Sequence, residues 1–173
     1  IGVVLEAFAD RPLPAALDWL IQAAPDVTQV EIGVGGYAPR THCDLHTLLT
    51  NPAERRRWHA EISSRGLGIS ALNAWGNPLH PDSDIASRHA DDLRDMIRLA
   101  TELGVDRVVA MAGCPGASAA DTMPHFAGGG WLPYLENVWD RQWLEAGAPF
   151  WSEMSDFARQ QQPALRICLE LHP

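Results

Sequence analysis

Glu170 and His172 lie in the run Ile167-Cys168-Leu169-Glu170-Leu171-His172-Pro173. They are two residues apart, so on a strand both project from the same face. The apolar, β-prone residues before them supply that strand. A carboxylate and an imidazole converging at a strand's C-terminal end form half of a metal site or half of an acid–base pair. For Glu170 the plainer alternative is a strand-end carboxylate paired with Arg or Lys. For His172 it is a histidine hydrogen-bonded for structural reasons.

Chemistry at a strand end needs a scaffold that gathers strand ends. Five strand-like runs recur along the chain: Ile1 to Phe8, Val27 to Val34, Leu67 to Ala74, Val105 to Ala112 and Ala164 to Leu171. Helical patterns separate most of them. One opens at Pro14 with Leu17, Leu20, Ile21 and Ala24 at helical spacing, and one runs from Pro52 to Ser64. A long one follows Asp82 or Ser83 as cap, buries Leu93, Ile97, Ala100 and Leu103, and stops at Gly104. The last ends near Gln162. A Gly/Pro/Trp-rich excursion, read as loop from Gly113 to Pro149, precedes it.

Strands alternating with helices, without hairpin signals, predict a parallel α/β sheet. No Gly-x-Gly-x-x-Gly follows the first strand, so a dinucleotide-binding sheet is disfavoured. The expected fold is a (β/α)8 TIM barrel. Such barrels run to about 250 residues, and the 173 residues here hold its first four and a half β/α units. Residues 1–173 then form the N-terminal portion of one domain, with a Trp-rich insertion around 113–149. The remaining units are expected after Pro173 or from another polypeptide. Expressed alone, the segment is expected to aggregate, oligomerise or pack loosely, because a half barrel exposes two sheet edges and an apolar lining.

Barrel enzymes place their functional groups at strand C-terminal ends and in the loops that follow. That filter selects Glu6, Glu31, Asn73, Trp75, His80, Cys114, Glu170 and His172. His80 stands between Pro78 and Pro81, in a restrained loop suited to presenting a side chain; the alternative is a histidine that bonds the loop to itself. Glu6 and Glu31 read as salt-bridge partners near strand ends. Asn73 reads as a tie for loop backbone groups. Cys114 and Cys168 read as structural, with Cys168 buried in its strand. His42 and His46 have zinc-like spacing, but a helical apolar pattern and a third ligand are lacking. The aromatic set Trp131, Tyr134, Trp139, Trp143, Phe150 and Trp151 either packs the insertion onto the barrel or forms a wall over a sugar.

A formal net charge of −9 argues against a nucleic-acid partner. Three cysteines without paired spacing fit a reducing cytoplasm. No apolar run approaches the ~20 residues of a membrane span. A homo-oligomer is expected from the frequency of such assemblies.

The chain resembles the sugar phosphate isomerase/epimerase family with its xylose isomerase-like TIM barrel. The resemblance rests on Gly76-Asn77-Pro78-Leu79-His80-Pro81, Gly113-Cys114-Pro115-Gly116, the segment from Trp131 to Trp151, and Glu170-Leu171-His172-Pro173. It implies a divalent metal, Mn2+ or Mg2+, with Glu170 as one ligand and further ligands on later strands. It implies proton transfer by Glu170, and by His172 as in some lyase-like members. Substrate contacts are expected from His80, Asn73 and Trp131, and from Trp75, which stands where relatives often carry histidine. The implied activity is isomerisation or epimerisation of a sugar, sugar phosphate or cyclic polyol through an enediolate. Alternatives are a lyase or dehydratase acting on an inosose or 3-oxo-glycoside, and a non-catalytic sugar-binding or interaction subunit.

Overall fold

A computed structural model describes the backbone of residues 1–126 and 133–170. Five strands form one parallel sheet in the order β1-β2-β3-β4-β5. They are β1 (Gly2–Val4), β2 (Gln29–Gly36), β3 (Gly68–Trp75), β4 (Arg107–Met111) and β5 (Arg166–Glu170). Sequential parallel neighbours joined by helices are the order in which a barrel winds. Around them run α1 (Leu13–Ala23), α2 (Leu45–Thr50), α3 (Pro52–Ser63), α4 (Ser83–Leu103), α5 (Pro133–Arg141) and α6 (Ala148–Gln161). No described helix is long and apolar enough to cross a membrane.

Alternation along the strands sorts the sheet into two faces. Val30, Ile32 and Val34 of β2, Leu72 and Ala74 of β3, and Val108 and Ala110 of β4 turn to the helices and are buried. There they join the core that contains Leu93, Met96, Ile97 and Ala100 of α4. Helix α4 begins on Asp82, whose carboxylate accepts the Asp84 and Ile85 N–H groups at 2.9 and 3.3 Å. It ends at Gly104, whose φ of +69° suits a residue without a Cβ. The inner face, turned away from the helices, carries Glu31, Asn73, Trp75, Val109, Met111, Cys168 and Glu170.

Several local expectations give way. The first strand stops at Val4 because Leu5–Phe8 coil into a 3-10 turn that drives Leu5 into the core, fully buried. A helix absent from the sequence reading, α2, starts where Asp44 accepts the Thr47 N–H at 3.1 Å and its hydroxyl at 2.7 Å. The excursion expected as loop to Pro149 is helical from Pro133, passing through a π-helical stretch at Gln142–Gly147 into α6. Pro149, which has no N–H to donate, stands where the π-helical stretch gives way to α6. Cys168, expected buried, is exposed: it lies on the inner face of β5, the last strand, with Arg166 and Glu170, which are exposed too.

Candidate functional site

Strand register sets the inner face in rows. Gly33, Asn73, Val109 and Cys168 are successive partners across β2 to β5. Met111 pairs with Glu170 one pleat further toward the C-terminal ends. Trp75, two residues beyond Asn73, rises to that same level. The sheet thus brings Asn73, Trp75 and Glu170 onto one face in adjacent rows. His172 and Trp131 lie outside the described residues.

The lower row is polar. Asn73 is fully buried, and its Nδ2 donates to Glu31 Oε1 at 2.8 Å. This corrects both sequence readings: Asn73 holds a carboxylate rather than loop backbone, and Glu31 accepts from an amide rather than meeting a cation. Glu6, just past β1, leans over β2. A Cβ at Gly33 would collide with Glu6 Oε1, so glycine is what admits the carboxyl there. Both Glu6 oxygens and Asn73 Oδ1 are buried without a hydrogen-bond partner. Burial pushes the Glu6 carboxyl above the usual carboxylate range, outweighing its own backbone N–H and the nearby Asn73 amide.

The rim is different. A cavity of about 560 Å³ opens at the strand C-terminal ends, between the loops after β2, β3 and β4 and the Trp-rich insertion. Tyr37, Leu79, Phe126, Trp139 and Trp143 give it aromatic and aliphatic walls, and Met111, Cys114, His125 and Gln142 also reach it. Asn77 stitches the rim together. Its Oδ1 accepts the N–H groups of Leu79 and Cys114 at 3.1 and 2.8 Å, and its Nδ2 donates to the Cys114 carbonyl at 2.7 Å. The Asn77 N–H in turn donates to Nδ1 of buried His89 on α4 at 3.0 Å. Burial lowers the His89 pKa, which keeps that nitrogen free to accept. The insertion is tied down by Gln142, whose Nε2 donates to the His125 carbonyl at 2.8 Å, and by Trp151, whose Nε1 donates to Ala112 O at 2.8 Å.

His80 spends its Nδ1 on the Asp82 N–H at 2.9 Å, bonding its loop to itself. Trp75 Nε1 is buried without a partner. A second cleft, of about 440 Å³, lies in the helix layer beside α2 and α4 and includes no inner-face residue. Among the described residues no group of three or more His, Cys, Asp or Glu could hold a metal ion. Glu170 has the donor chemistry a hard cation takes, but one carboxylate does not make a site. His42, buried, has its Nε2 3.0 Å from the Arg11 carbonyl, which leaves no zinc pairing with His46.

Asn77, His89 and the Glu6–Asn73–Glu31 contact are the features that sequence reasoning did not assemble. Asn77 stands in an Asn-Pro turn signal, and His89 falls on the apolar stripe of α4. Nothing in the spacing of Glu6, Glu31 and Asn73 announces that they meet.

No family model matches the chain. The Bacillus subtilis (strain 168) protein named "Uncharacterized protein YfiH" is 27% identical over 156 residues, which cover 89% of this chain and 49% of that protein. Among solved structures, L-ribulose 3-epimerase matches with a TM-score of 0.53 and 17% identity, over 99% of this chain and 49% of that one. A xylose isomerase domain protein from Planctomyces limnophilus gives 0.56 and 11%, over 99% and 53%. D-psicose 3-epimerase, solved in the presence of D-fructose, gives 0.56 and 10%, over 98% and 51%. The chain spans about half the length of each of these proteins. Its fold is that of the xylose isomerase-like TIM barrels, of which its five strands make a part.

Proposed function

We propose that the protein to which this chain belongs is a sugar epimerase or isomerase that moves a proton at a carbon next to a carbonyl. The observation that carries the reading is positional. In a fold shared with sugar epimerases, Glu170 stands at the C-terminal end of β5, level with Met111, at the sheet end where the aromatic cavity opens. Glu170 is the proposed proton-transfer group, with His172 two residues on as its partner. Trp139 and Trp143, which line that cavity, are the proposed stacking surface for the apolar side of a sugar, with Trp75 at the end of β3 and His80 in the loop after it as further proposed contacts. Trp131 belongs to the same insertion.

A divalent cation, Mn2+ or Mg2+, belongs to the proposal, with Glu170 as one ligand and the others from outside the described residues. When bound it supplies positive charge beside the oxyanion that develops on proton removal. The proposed partner is a small carbohydrate, and the proposed setting is a cytoplasmic homo-oligomer.

The test is solvent exchange. The full-length protein with Mn2+ is incubated in D2O with a panel of ketoses, and deuterium at the carbon next to the carbonyl is followed by NMR. Incorporation that Glu170→Gln reduces at least a hundredfold supports the reading, as removal of a proton-transfer group costs about 10²–10⁴-fold. Loss of substrate mass to an eliminated product would point to a lyase, and equal exchange in wild type and Glu170→Gln would sink the assignment.

A further inference from the structure

Helix α4 anchors the rim at a second point. Asp92, about one turn after His89, accepts the Gly36 N–H on its Oδ2 at 2.8 Å. Arg40 Nη2 donates to both oxygens of the same carboxylate, at 3.1 and 2.9 Å. Gly36 ends β2 with a φ of +66°, and a Cβ there would collide with the Trp75 carbonyl oxygen. Glycine is what permits that crossing. The next residue is Tyr37, whose N–H donates to the Trp75 carbonyl. Its ring stands T-shaped to that of His89, with centroids 4.6 Å apart and planes at 74°. The helix and the end of β3 together fix Tyr37 in place.

A fixed backbone leaves the side chain open. Tyr37 lines the cavity at the strand ends and is 62% exposed. The amides beside it are spent on loop backbone. Asn77 uses Oδ1 on two N–H groups and Nδ2 on the Cys114 carbonyl. Gln142 Nε2 faces the Pro115, Gly116 and His125 carbonyls. The exposed Tyr37 phenol both donates and accepts, as a sugar hydroxyl does. Among the described residues lining the cavity there is no Asp, Glu, Lys or Arg. Arg40, the cation of the Tyr37 loop, is paired with Asp92. A phosphate reaching this wall would meet no counter-charge, whereas a hydroxyl needs none. Position adds a further constraint. Tyr37 follows β2 and Glu170 ends β5, three strands away. At the usual strand spacing that is about 14 Å along the sheet. A ligand whose reacting carbon meets Glu170 therefore turns its far end to Tyr37.

We infer that Tyr37, clamped by Asp92, is a specificity-determining contact for the uncharged, hydroxyl-bearing end of the sugar, remote from the carbon that exchanges its proton. Asp92 is a positioning residue that acts through the Gly36–Tyr37 backbone. The inference rests on the sugar reading and deepens it, because it selects a sugar that carries no phosphate at that end.

The experiment is steady-state solvent exchange by the full-length protein with Mn2+ in D2O. The probes are D-fructose, its phosphate monoester at the far terminal carbon, and the other ketoses of the panel. Tyr37→Phe keeps the ring beside His89 and removes the hydroxyl. Loss of one neutral hydrogen bond should raise KM about threefold to tenfold. The contact is remote from the reacting carbon, so kcat should stay within about twofold. Asp92→Ala should raise KM in the same way. Asp92→Asn keeps an acceptor for the Gly36 N–H and should restore most of the loss. In the Tyr37→Phe background Asp92→Ala should add little, whereas a merely structural Asp92 would act equally in both backgrounds. The unphosphorylated ketose should show the lower KM. Titration of tryptophan emission with the same ketose gives Kd, which should rise together with KM. Unchanged KM and Kd in Tyr37→Phe, additive effects of the two substitutions, or a lower KM for the phosphorylated ketose overturns the inference while the exchange reaction itself stands. Absence of both exchange and ketose binding in wild type overturns the sugar reading, and the inference with it. If Asp92→Ala does not fold, Tyr37→Phe and Asp92→Asn decide the question.

Discussion

The inner face of the sheet and its rim solve opposite problems with the same residue types. One pleat down, half-buried Glu6 and Glu31 flank fully buried Asn73 in a row where buried acceptors outnumber their partners. At the rim, Asn77 and His89 are buried, and the four hydrogen bonds described for them are short and paired. An asparagine sits at the centre of each. Asn73 mediates between carboxyls and stores an imbalance. Asn77 mediates between two loop backbones and removes one. The difference separates a row with unmatched acceptors from a loop crossing where each polar group is matched.

The comparison is broken most directly at Asn73. Replacement by Ala removes the donor that Glu31 uses and leaves a cavity in a fully buried position. Uncompensated buried acceptors and lost packing together should cost about 3 kcal/mol. Chemical denaturation should show a lowered midpoint with an unchanged slope. The loss should be smaller in a Glu31→Gln background, where the charge that Asn73 serves is gone, and an equal loss in both backgrounds would mean that Asn73 contributes packing alone.

The rim should respond less in stability and more in shape. Asn77→Ala strips partners from the Leu79 and Cys114 backbones, and leaving such groups unmade costs about 2 kcal/mol. The loops after β3 and β4 then lose their shared anchor, and the cavity wall containing Leu79 and Cys114 loosens. Trp139 and Trp143 line the same cavity, so the emission of these tryptophans should shift in the folded variant. Unchanged emission with the same stability loss would show that Asn77 holds the fold without shaping the cavity.

How far the sequence reached differs between the two regions for a physical reason. Period-two alternation at Val30, Ile32 and Val34 places Glu31 on the opposite face, and the structure agrees. The apolar stripe of α4 and its stop at Gly104 were equally legible, because helix periodicity and capping are local. The 3-10 turn after Val4 was not, since Leu5–Phe8 is β-prone by composition and its coiling is set by where Leu5 packs. The exposure of Cys168 depends on which strands flank β5, which its apolar neighbours do not encode. The meeting of Glu6 with Asn73 joins the turn after β1 to β3 across β2. No local spacing carries that contact, whereas the Asn-Pro signal at 77–78 already marks a turn that needs a side-chain partner.

The smallest expected effect sharpens the rim side of the comparison, and it is a pH dependence. His89 Nδ1 accepts the Asn77 N–H at 3.0 Å, which requires that nitrogen to be unprotonated. Burial depresses the His89 pKa most strongly. Arg88 and His80 push the same way, while the Asn77 backbone carbonyl and Asp92 pull it up. The folded state therefore binds fewer protons than the unfolded one in the window between the depressed value and the ordinary 6.5. Stability rises with pH across that window, is complete above it, and is lost as pH falls through the depressed value. The bond at stake is a single neutral one, worth about 1 kcal/mol. His89→Phe should remove this part of the profile while leaving any part from Glu6, whose pKa burial raises and whose sign is therefore opposite. Equilibrium unfolding between pH values on either side of 6.5 measures it. A profile in His89→Phe identical to that of wild type would show that the imidazole stays neutral, or is already free of Asn77, throughout that range.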